Sequence, residues 1–537
     1  MNQYEKHVSD KLLKEEFILG KDLNLQLQKK FGVTSPYGRK IIERAAKSKI
    51  IKPSVISFGN GQYAYIHPSK RFTKEIVLQI AKINRPPLFR LINMLDRYQG
   101  VLTQYEAMKI CATPLKQEKT KSDLIHKLIL ETELLDIGLR FENSDGVKFI
   151  IYPSLKNDAE AMCKKEINRM TVDTAFIPDV LRALRKYNII DNDRVLYRNK
   201  NTAHIGITHN NYTWDAIAYT KTTGINDTRS SQADTFDKQT LVALDIVISR
   251  AYSDNDLQGF VSRLQGMQSA VKTGKRKVLP VIIYAHTESK ILVNRIRKLG
   301  FLCFDLGAIY GSWVYKIIQN VVEVKKTHSS ETIPTDILVE KTLDIMRNAG
   351  QENNLPNIKG DLFESLMFPF FKLIFPDAII EVGEKLKSKV GGKKLEYEYD
   401  YIIKSSRLKE VIIIELKGYS SSNYISLGDH QTQNTIKWFF GNTFPFAKGI
   451  LQMRDPNVKI TASYITTSSF KEDGVAFLAS INNGKLKPND LEVWYDGEKL
   501  MSLLGKFKLV KTQEIIKKYY IKEKEETDEV VDQEFNF

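Results

Sequence analysis

Residues 398–418, EYDYIIKSSRLKEVIIIELKG, constrain the fold more than any other part of the chain. Two apolar runs rich in isoleucine are joined by a polar turn near Ser406. This pattern predicts two neighbouring strands of a buried sheet. Side chains two apart on a strand share a face, so Glu415 and Lys417 are expected to project together from the end of the second strand.

The register of this hairpin decides where Asp400 lies. With the turn centred between Ser406 and Arg407, Asp400 stands opposite Ile413 and shares the face of Glu415. A register shifted by one residue would move it to the other face. The first register therefore predicts two carboxylates beside one ammonium at one end of the sheet.

Such a group of charges suits a divalent cation. Burying two carboxylates is costly unless a cation lies between them, and hard cations prefer oxygen ligands. We expect Asp400, Glu415 and the Leu416 carbonyl to hold Mg²⁺, with Mn²⁺ as a substitute, while Lys417 orients or activates water and neutralises developing charge. These are the parts of a phosphodiesterase. The alternative is that Glu-x-Lys is one of many such pairs in a lysine-rich chain and lies on a solvated face.

An upstream segment, KGDLFE, supplies one more acid. A helix is predicted from Lys359 to about Leu373, with Glu364 facing the strands and assisting a metal-bound water. The alternative for Glu364 is an ordinary acid near a helix N-terminus, favoured by the helix dipole.

These motifs together resemble a known family. The order Gly360-x-x-x-Glu364, Asp400 and Glu415-x-Lys417 resembles the PD-(D/E)XK nuclease superfamily, although Tyr399 stands where the family often has proline. The text GYSSSNYISLGDHQTQNTIKWF resembles the cleavage domain of FokI-like type IIS restriction endonucleases. The strand SYITTSSF, at 463–470, is similar to one in Mrr-like restriction endonucleases.

The resemblance covers roughly residues 355–510 and implies both a fold and an activity. The implied fold is a restriction-endonuclease-like α/β/α domain. The implied activity is that of a type II site-specific deoxyribonuclease in restriction or phage defence, which binds one site in double-stranded DNA and cuts nearby. It implies ends with 5′-phosphate and 3′-hydroxyl, a transient homodimer for double-strand cleavage, and a companion methyltransferase.

The N-terminal region has the features of a DNA-binding region. Residues 1–100 hold 19 Lys and Arg against 8 Asp and Glu, most of the chain's net charge of +16. Strongly basic surfaces attract polyanions, although a general lysine bias is the alternative. Helices over Asn24–Phe31 and from Ser35 to about Lys49, then a hairpin around Asn60-Gly61, predict a winged helix. The DNA-facing residues would be Arg39, Lys40, Arg44 and Lys47.

A second unit of the same kind is predicted over 71–157. Its helices span Pro86–Gln99 and Thr120–Thr132, and its hairpin surrounds Asp145-Gly146. The two wings end in similar sequence segments, YAYIHPS and FIIYPS. Winged helices also serve as protein-protein modules, and the second unit, nearly neutral, is a weaker candidate for DNA contact.

From 158 to 326 alternating strands and helices predict an α/β middle domain. Asp215 and Asp245 lie on its apolar strands, but no lysine follows Asp245 by two residues. We therefore interpret this domain as structural, nuclease-like without its chemistry. The overall prediction is a multidomain α/β protein, with these domains: winged helices at 1–70 and 71–157, the middle domain at 158–326, a linker and helix at 327–352 with a hinge at 327–332, the nuclease domain at 353–520 and an acidic tail at 521–537.

The segment after the Glu-x-Lys motif predicts a helix beginning near Asp429. On it His430, Gln433 and Lys437 would form one polar stripe. Gln433 and Lys437 would contact DNA phosphate, and the alternative is that all three are surface residues.

Other features narrow the class of protein. No apolar run reaches the roughly 18 residues of a membrane span, so no membrane association is expected, and the charged first residues predict a cytoplasmic protein. Three scattered cysteines indicate reduced thiols. No ATP-binding phosphate loop or methyltransferase-like glycine motif occurs. Two alternative functions stay open: a structure- or modification-specific repair or recombination nuclease, and a non-catalytic DNA-binding regulator.

Overall fold

The computed structural model describes residues 1–116, 123–191, 195–221, 240–270, 278–327, 334–390, 393–419, 424–482 and 484–521. The fold is mixed α/β and multidomain, as expected. Unit 1 comprises Met1–Thr174 and Leu184–Asp305, and unit 2 comprises Ala175–Ala183 and Leu306–Phe537. The predicted hinge, apart from Thr327, and the acidic tail from 522 lie outside the described residues. Within these residues no helix is both long and apolar enough to cross a membrane.

The first 70 residues of unit 1 form three helices and a three-stranded antiparallel sheet. The elements are α1 (Gln3–Lys14), β1 (Ile18–Leu19), α2 (Gly20–Phe31), α3 (Ser35–Lys47), β2 (Lys52–Pro53) and β3 (Ala64–Ile66), with strand order β1-β3-β2. Helix α2 ends at Gly32, whose φ of 65° is available to glycine without steric cost. Asn60 and Gly61 also have positive φ, as the predicted tight turn requires.

Residues 71–157 repeat this order of elements after one additional helix. The elements are α4 (Lys74–Asn84), α5 (Pro86–Arg97), β4 (Val101–Thr103), α6 (Gln104–Cys111), α7 (Ile125–Leu134), β5 (Leu139–Glu142) and β6 (Lys148–Ile151), with strand order β4-β6-β5. The predicted helix over Thr120–Thr132 starts later, at Ile125, and residues 117–122 lie outside the described part. Sequence reasoning missed α6, which is buried from Tyr105 to Cys111.

The rest of unit 1 is built on a five-stranded sheet. A 28-residue helix with an internal proline, α8, precedes the predicted alternation of strands and helices, and its residues Ala175–Ala183 belong to unit 2. The elements are α8 (Ala159–Lys186), β7 (Leu196–Tyr197), β8 (Ile207–His209), β9 (Tyr212–Trp214), β10 (Ala216–Thr220), β11 (Thr240–Tyr252), α9 (Asp254–Ala270), β12 (Val278–Thr287), α10 (Lys290–Lys298) and β13 (Leu302–Asp305). The strand order is β13-β12-β11-β10-β7. Strand β10 is antiparallel to both of its neighbours, β7 and β11, whereas β11, β12 and β13 are parallel.

Unit 2 contains a second five-stranded sheet. Its elements are α11 (Leu306–Tyr310), α12 (Val314–Thr327), α13 (Thr335–Asn348), α14 (Pro356–Ile374), β14 (Ala378–Val390), β15 (Lys393–Ser405), β16 (Glu410–Lys417), β17 (Tyr424–Ile425), α15 (Ile436–Trp438), α16 (Phe444–Arg454), β18 (Lys459–Thr466), β19 (Ser469–Phe470), α17 (Glu472–Asn482), β20 (Trp494–Tyr495), α18 (Gly497–Lys506) and α19 (Val510–Tyr519). The strand order is β14-β15-β16-β18-β20. Strands β14, β15 and β16 are antiparallel, and β16, β18 and β20 are parallel.

Aromatic side chains pack helices against this second sheet. On α14, Phe371 packs against Tyr401 of β15, with ring centroids 4.9 Å apart. Phe439, which follows α15, packs against Tyr464 of β18 at 5.7 Å. The helices therefore bury the centre of the sheet and leave the C-terminal end of β16 as the place where its polar residues emerge.

Candidate active site

The β15–β16 hairpin forms in a different register from the predicted one. Tyr401 pairs with Ile414, so one more step places Asp400 opposite Glu415 and the predicted pairing with Ile413 is wrong. The reason is the turn, which spans residues 406–409 and is longer than predicted, with Lys409 in the left-handed region at φ 50°. A shift of two residues leaves the predicted face unchanged, because strand side chains alternate with a period of two.

The carboxylate of Asp400 lies between the two strands. Its Oδ2 accepts a hydrogen bond from the Leu416 amide at 2.7 Å. In an extended strand the N–H and C=O of one residue point to the same edge, so the Leu416 carbonyl also faces β15. Asp400 and Glu415 are therefore paired across the two strands, and the Leu416 carbonyl lies on the edge of β16 that faces Asp400.

Lys417 completes the group. Its Nζ lies 2.6 Å from Oε1 of Glu415, and the two side chains are 15% and 18% exposed. Burial opposes the charged form of Lys417, but the charges of Glu415 and then Asp400 outweigh it and raise the lysine's pKa well above its usual range. Lys417 is therefore a fixed cation at neutral pH, and solvent still reaches it.

Helix α14 approaches the end of β16 closely. A Cβ added at Gly418, which follows Lys417, would lie 2.5 Å from Cβ of Phe363, so only glycine fits here. The Tyr401 hydroxyl donates to the Glu364 carbonyl at 2.8 Å. The backbone of Glu364 is thus tied to the residue that follows Asp400.

The structure does not gather Glu364 with the other acids into a metal-binding group. Across the described ranges, no set of three or more His, Cys, Asp or Glu side chains is arranged to hold a metal ion. The charge of Glu364 acts instead on Tyr520, whose pKa is raised first by burial and then by this carboxylate. Glu364 lies on its predicted helix, and its part in binding a metal or its water stays a prediction.

Sequence reasoning missed Tyr464, which the register of β18 places opposite Glu415. Its side chain is 1% exposed, and its hydroxyl has no hydrogen-bond partner within the described part of the chain. Burial raises the pKa of this hydroxyl, and the charge of Lys417 opposes that rise. Only the pairing of β16 with β18, 49 residues apart, reveals this neighbour.

The predicted polar stripe after the motif is wrong. Residues 429–435 form turns and α15 begins at Ile436, so His430, Gln433 and Lys437 do not share a helical face. Oδ1 of Asp429 accepts from the Gln431 and Thr432 amides at 2.8 and 2.7 Å, which favours a turn over a helix. Gln433 is exposed and Lys437 is half-buried.

The predicted DNA-contacting residues of α3 all reach solvent. Arg39, Lys40, Arg44 and Lys47 are exposed, and Lys47 pairs with Glu43 at 2.7 Å. The opposite face of α3 is buried through Ile41, Ile42 and Ala45. One face of α3 is therefore basic and accessible.

Comparisons with protein-family models, with curated proteins and with solved structures found no match. Asp400 and Glu415 are partly exposed, and with the Leu416 carbonyl they would supply only oxygen ligands, which fits a hard divalent cation that retains water ligands.

Proposed function

We propose that this chain is a magnesium-dependent endonuclease of the PD-(D/E)XK kind that hydrolyses phosphodiester bonds of duplex DNA. The observation that carries the proposal is the arrangement at the end of β15 and β16. There Asp400 lies opposite Glu415 and is bonded to the Leu416 amide, with Lys417 beside them. The order and directions of the strands in unit 2, β14-β15-β16-β18-β20, support the same assignment.

Each residue of the site has a role in this proposal. Asp400, Glu415 and the Leu416 carbonyl would hold Mg²⁺, which when bound lowers the pKa of a coordinated water and polarises the scissile phosphate. Lys417, beside Glu415, would orient or activate the attacking water and offset developing negative charge. Glu364, on α14, would help to bind a water molecule that the metal coordinates.

The N-terminal modules support a division between binding and cutting. Both follow the helix and strand order of winged helices, and α3 presents four exposed basic residues. We propose that the first module binds the DNA site and that unit 2 cuts nearby, as in type IIS restriction enzymes. One active site cuts one strand, so double-strand cleavage takes a transient pair of copies, and a companion methyltransferase would protect host DNA.

Plasmid cleavage tests this function. The purified chain is incubated with Mg²⁺ and a mixture of plasmids, beside Lys417→Ala and a control, Lys506→Ala, which removes an exposed lysine of α18. Wild type and Lys506→Ala should cut, and Lys417→Ala should be slower by about 10²- to 10³-fold, the usual effect of removing one such electrostatic group. No cleavage by wild type, or equal cleavage by Lys417→Ala, would remove the proposal.

Sequencing the cut ends tests the specificity. A fixed offset from a short recurring sequence supports the type IIS assignment. Cuts that follow DNA shape or modification, without a recurring sequence, would instead make the chain a repair or recombination nuclease.

A further inference from the structure

Unit 1 contains a sheet with the same order and directions of strands as the sheet of unit 2. Strands β10 and β11 are antiparallel, and β11, β12 and β13 are parallel. This pattern matches β15, β16, β18 and β20. The strand that corresponds to β16 is therefore β11, which carries Asp245.

The match extends to a pair of carboxylates. Ala216 pairs with Leu244, so one more step places Asp215 opposite Asp245. Asp215 is the single residue between β9 and β10 rather than part of a strand, a correction to its predicted place. Its Oδ2 accepts from the Ile246 amide at 2.8 Å, just as Oδ2 of Asp400 accepts from the Leu416 amide.

A lysine from another part of unit 1 lies between these two acids. Lys109, on α6, bonds Oδ2 of Asp215 and lies 2.9 Å from Oδ1 of Asp245. The side chains of both acids are 0% exposed and that of Lys109 is 4% exposed. Burial opposes the charge on Lys109, but Asp215 and then Asp245 outweigh it and raise the lysine's pKa. Val247 follows Asp245 by two residues, the spacing at which Lys417 follows Glu415.

Other side chains also contact these two acids. Arg198 lies 3.0 Å from Asp215, and Arg263 lies 2.9 Å from Asp245. The hydroxyls of Tyr105 and Tyr252 donate to the same two carboxylates. With Asp173, which Arg198 also contacts at 3.5 Å, three acids face three cations.

We propose that Lys109 is a built-in cation, which occupies the place between Asp215 and Asp245 that a divalent metal would otherwise take. Its ammonium closes this sheet to metal-dependent chemistry. The same ion pairs fix α6, and with it the second module, to the middle sheet.

The packing of α6 agrees with this role. Every side chain from Tyr105 to Cys111 is buried, and a Cβ at Gly259 of α9 would lie 2.5 Å from the Ile110 carbonyl. A glycine at this position lets the two helices approach closely. In the second module α6 is thus an attachment to the sheet and not a surface for DNA.

Removing the ammonium while leaving its space should create a metal site. The full chain carrying Glu415→Gln, which weakens the candidate active site, serves as the parent. Adding Lys109→Ala should yield one further Mn²⁺ bound per chain, counted by electron paramagnetic resonance of free Mn²⁺. Mn²⁺ should also raise the thermal unfolding midpoint by several degrees, roughly the shift expected for a ligand at one hundred times its Kd.

Two controls make the result specific. Lys109→Met removes the charge but fills the space, so it should gain no Mn²⁺, and Lys109→Ala combined with Asp215→Asn should lose the gain. Folding of Lys109→Ala only in the presence of Mn²⁺ also supports the proposal. A folded Lys109→Ala without additional Mn²⁺, an equal gain in Lys109→Met, or a Lys109→Ala chain that stays unfolded with Mn²⁺ would overturn it. DNA cleavage is not the measured quantity, so failure of the nuclease proposal would leave this result unaffected.

Discussion

The two five-stranded sheets place an acid pair at the same point and differ in where the neutralising cation comes from. In unit 2 the cation is Lys417, two residues along the strand from Glu415, and both stay partly exposed. In unit 1 it is Lys109, on a helix that packs over Asp215 and Asp245 and excludes solvent. With the cation on the same strand the carboxylates stay partly exposed, whereas with the cation on a covering helix they are fully buried. The open arrangement suits chemistry, and the closed one suits attachment.

The largest expected difference between the sheets is in stability. Lys109→Met leaves two buried carboxylates short of a cation, which should lower the free energy of unfolding by about 3–5 kcal/mol. Lys417→Met leaves carboxylates that water can reach, so the loss should be about 1 kcal/mol. Urea unfolding combined with hydrogen exchange of peptides from β11 and β16 measures the two losses separately.

An exposed lysine of unit 1, Lys298, provides the control for that comparison. Lys298→Met should change stability by less than about 0.5 kcal/mol. Equal losses for Lys109→Met and Lys417→Met would mean that the two sheets do not differ as described.

The second prediction concerns pH and the buried charges of unit 1. Glu106 is 4% exposed and pairs with Arg169 at 2.7 Å. Burial raises its pKa to about 7, with Arg169 opposing and Glu166 adding to the rise. A carboxyl whose pKa is higher in the folded chain stabilises it fully below the unfolded value and loses that contribution as pH rises through about 7.

Unit 1 should therefore lose stability between pH 4.5 and 7, on the order of a few kcal/mol. Glu106→Gln removes the titrating group, so its unfolding free energy should change less with pH than that of wild type. Lys417 should not contribute to the change of stability with pH in this range, because its pKa is raised. Parallel slopes for wild type and Glu106→Gln would contradict the prediction.

Local sequence patterns predicted much of the secondary structure. The helix ending at Phe31, the strands around Ser406 and the alternation of elements after residue 195 agree with the structure. These features depend on hydrophobic periodicity and on turn residues, which act over a few positions. The sequence also predicted that Asp400, Glu415 and Lys417 lie on one face of the sheet, because a single hairpin carries all three.

Features that depend on distant contacts were not predictable. Lys109 contacts Asp215, which lies 106 positions away in the chain. No local pattern in the α6 sequence, QYEAMKIC, indicates that contact. The charged residues of α6 are buried only because partners elsewhere neutralise them. The length of the turn after Ser405 and the turns that replace the predicted helix at Asp429 depend on left-handed residues, Lys409 and Asn434, and on side-chain bonds to the backbone.

The third prediction tests how closely α14 must approach the candidate active site. Gly418→Ala places a methyl group 2.5 Å from Cβ of Phe363, which should destabilise unit 2 by about 1–3 kcal/mol and displace Lys417. Cleavage should therefore fall more than stability alone explains at a temperature where the variant is folded. Gly449→Ala in α16, where an added Cβ meets nothing within 4 Å, is the control and should be neutral or stabilising. Full cleavage by Gly418→Ala would show that the contact does not position the site.

The smallest effect concerns Tyr464, whose counterpart opposite Asp245 in unit 1 is Ile282. At this strand position unit 2 has a hydroxyl and unit 1 has none, so we expect the Tyr464 hydroxyl to bond water or phosphate. Tyr464→Phe should leave stability unchanged, since it removes a buried hydroxyl that has no partner in the described structure. Cleavage should fall by about 2- to 10-fold, the usual range for one hydrogen bond.

Tyr399→Phe is the matched control: it removes a hydrogen bond to the Thr443 carbonyl and should lower the free energy of unfolding by about 1 kcal/mol. If Tyr464→Phe cleaves like wild type, the difference between Tyr464 and Ile282 has no part in what separates the two sheets.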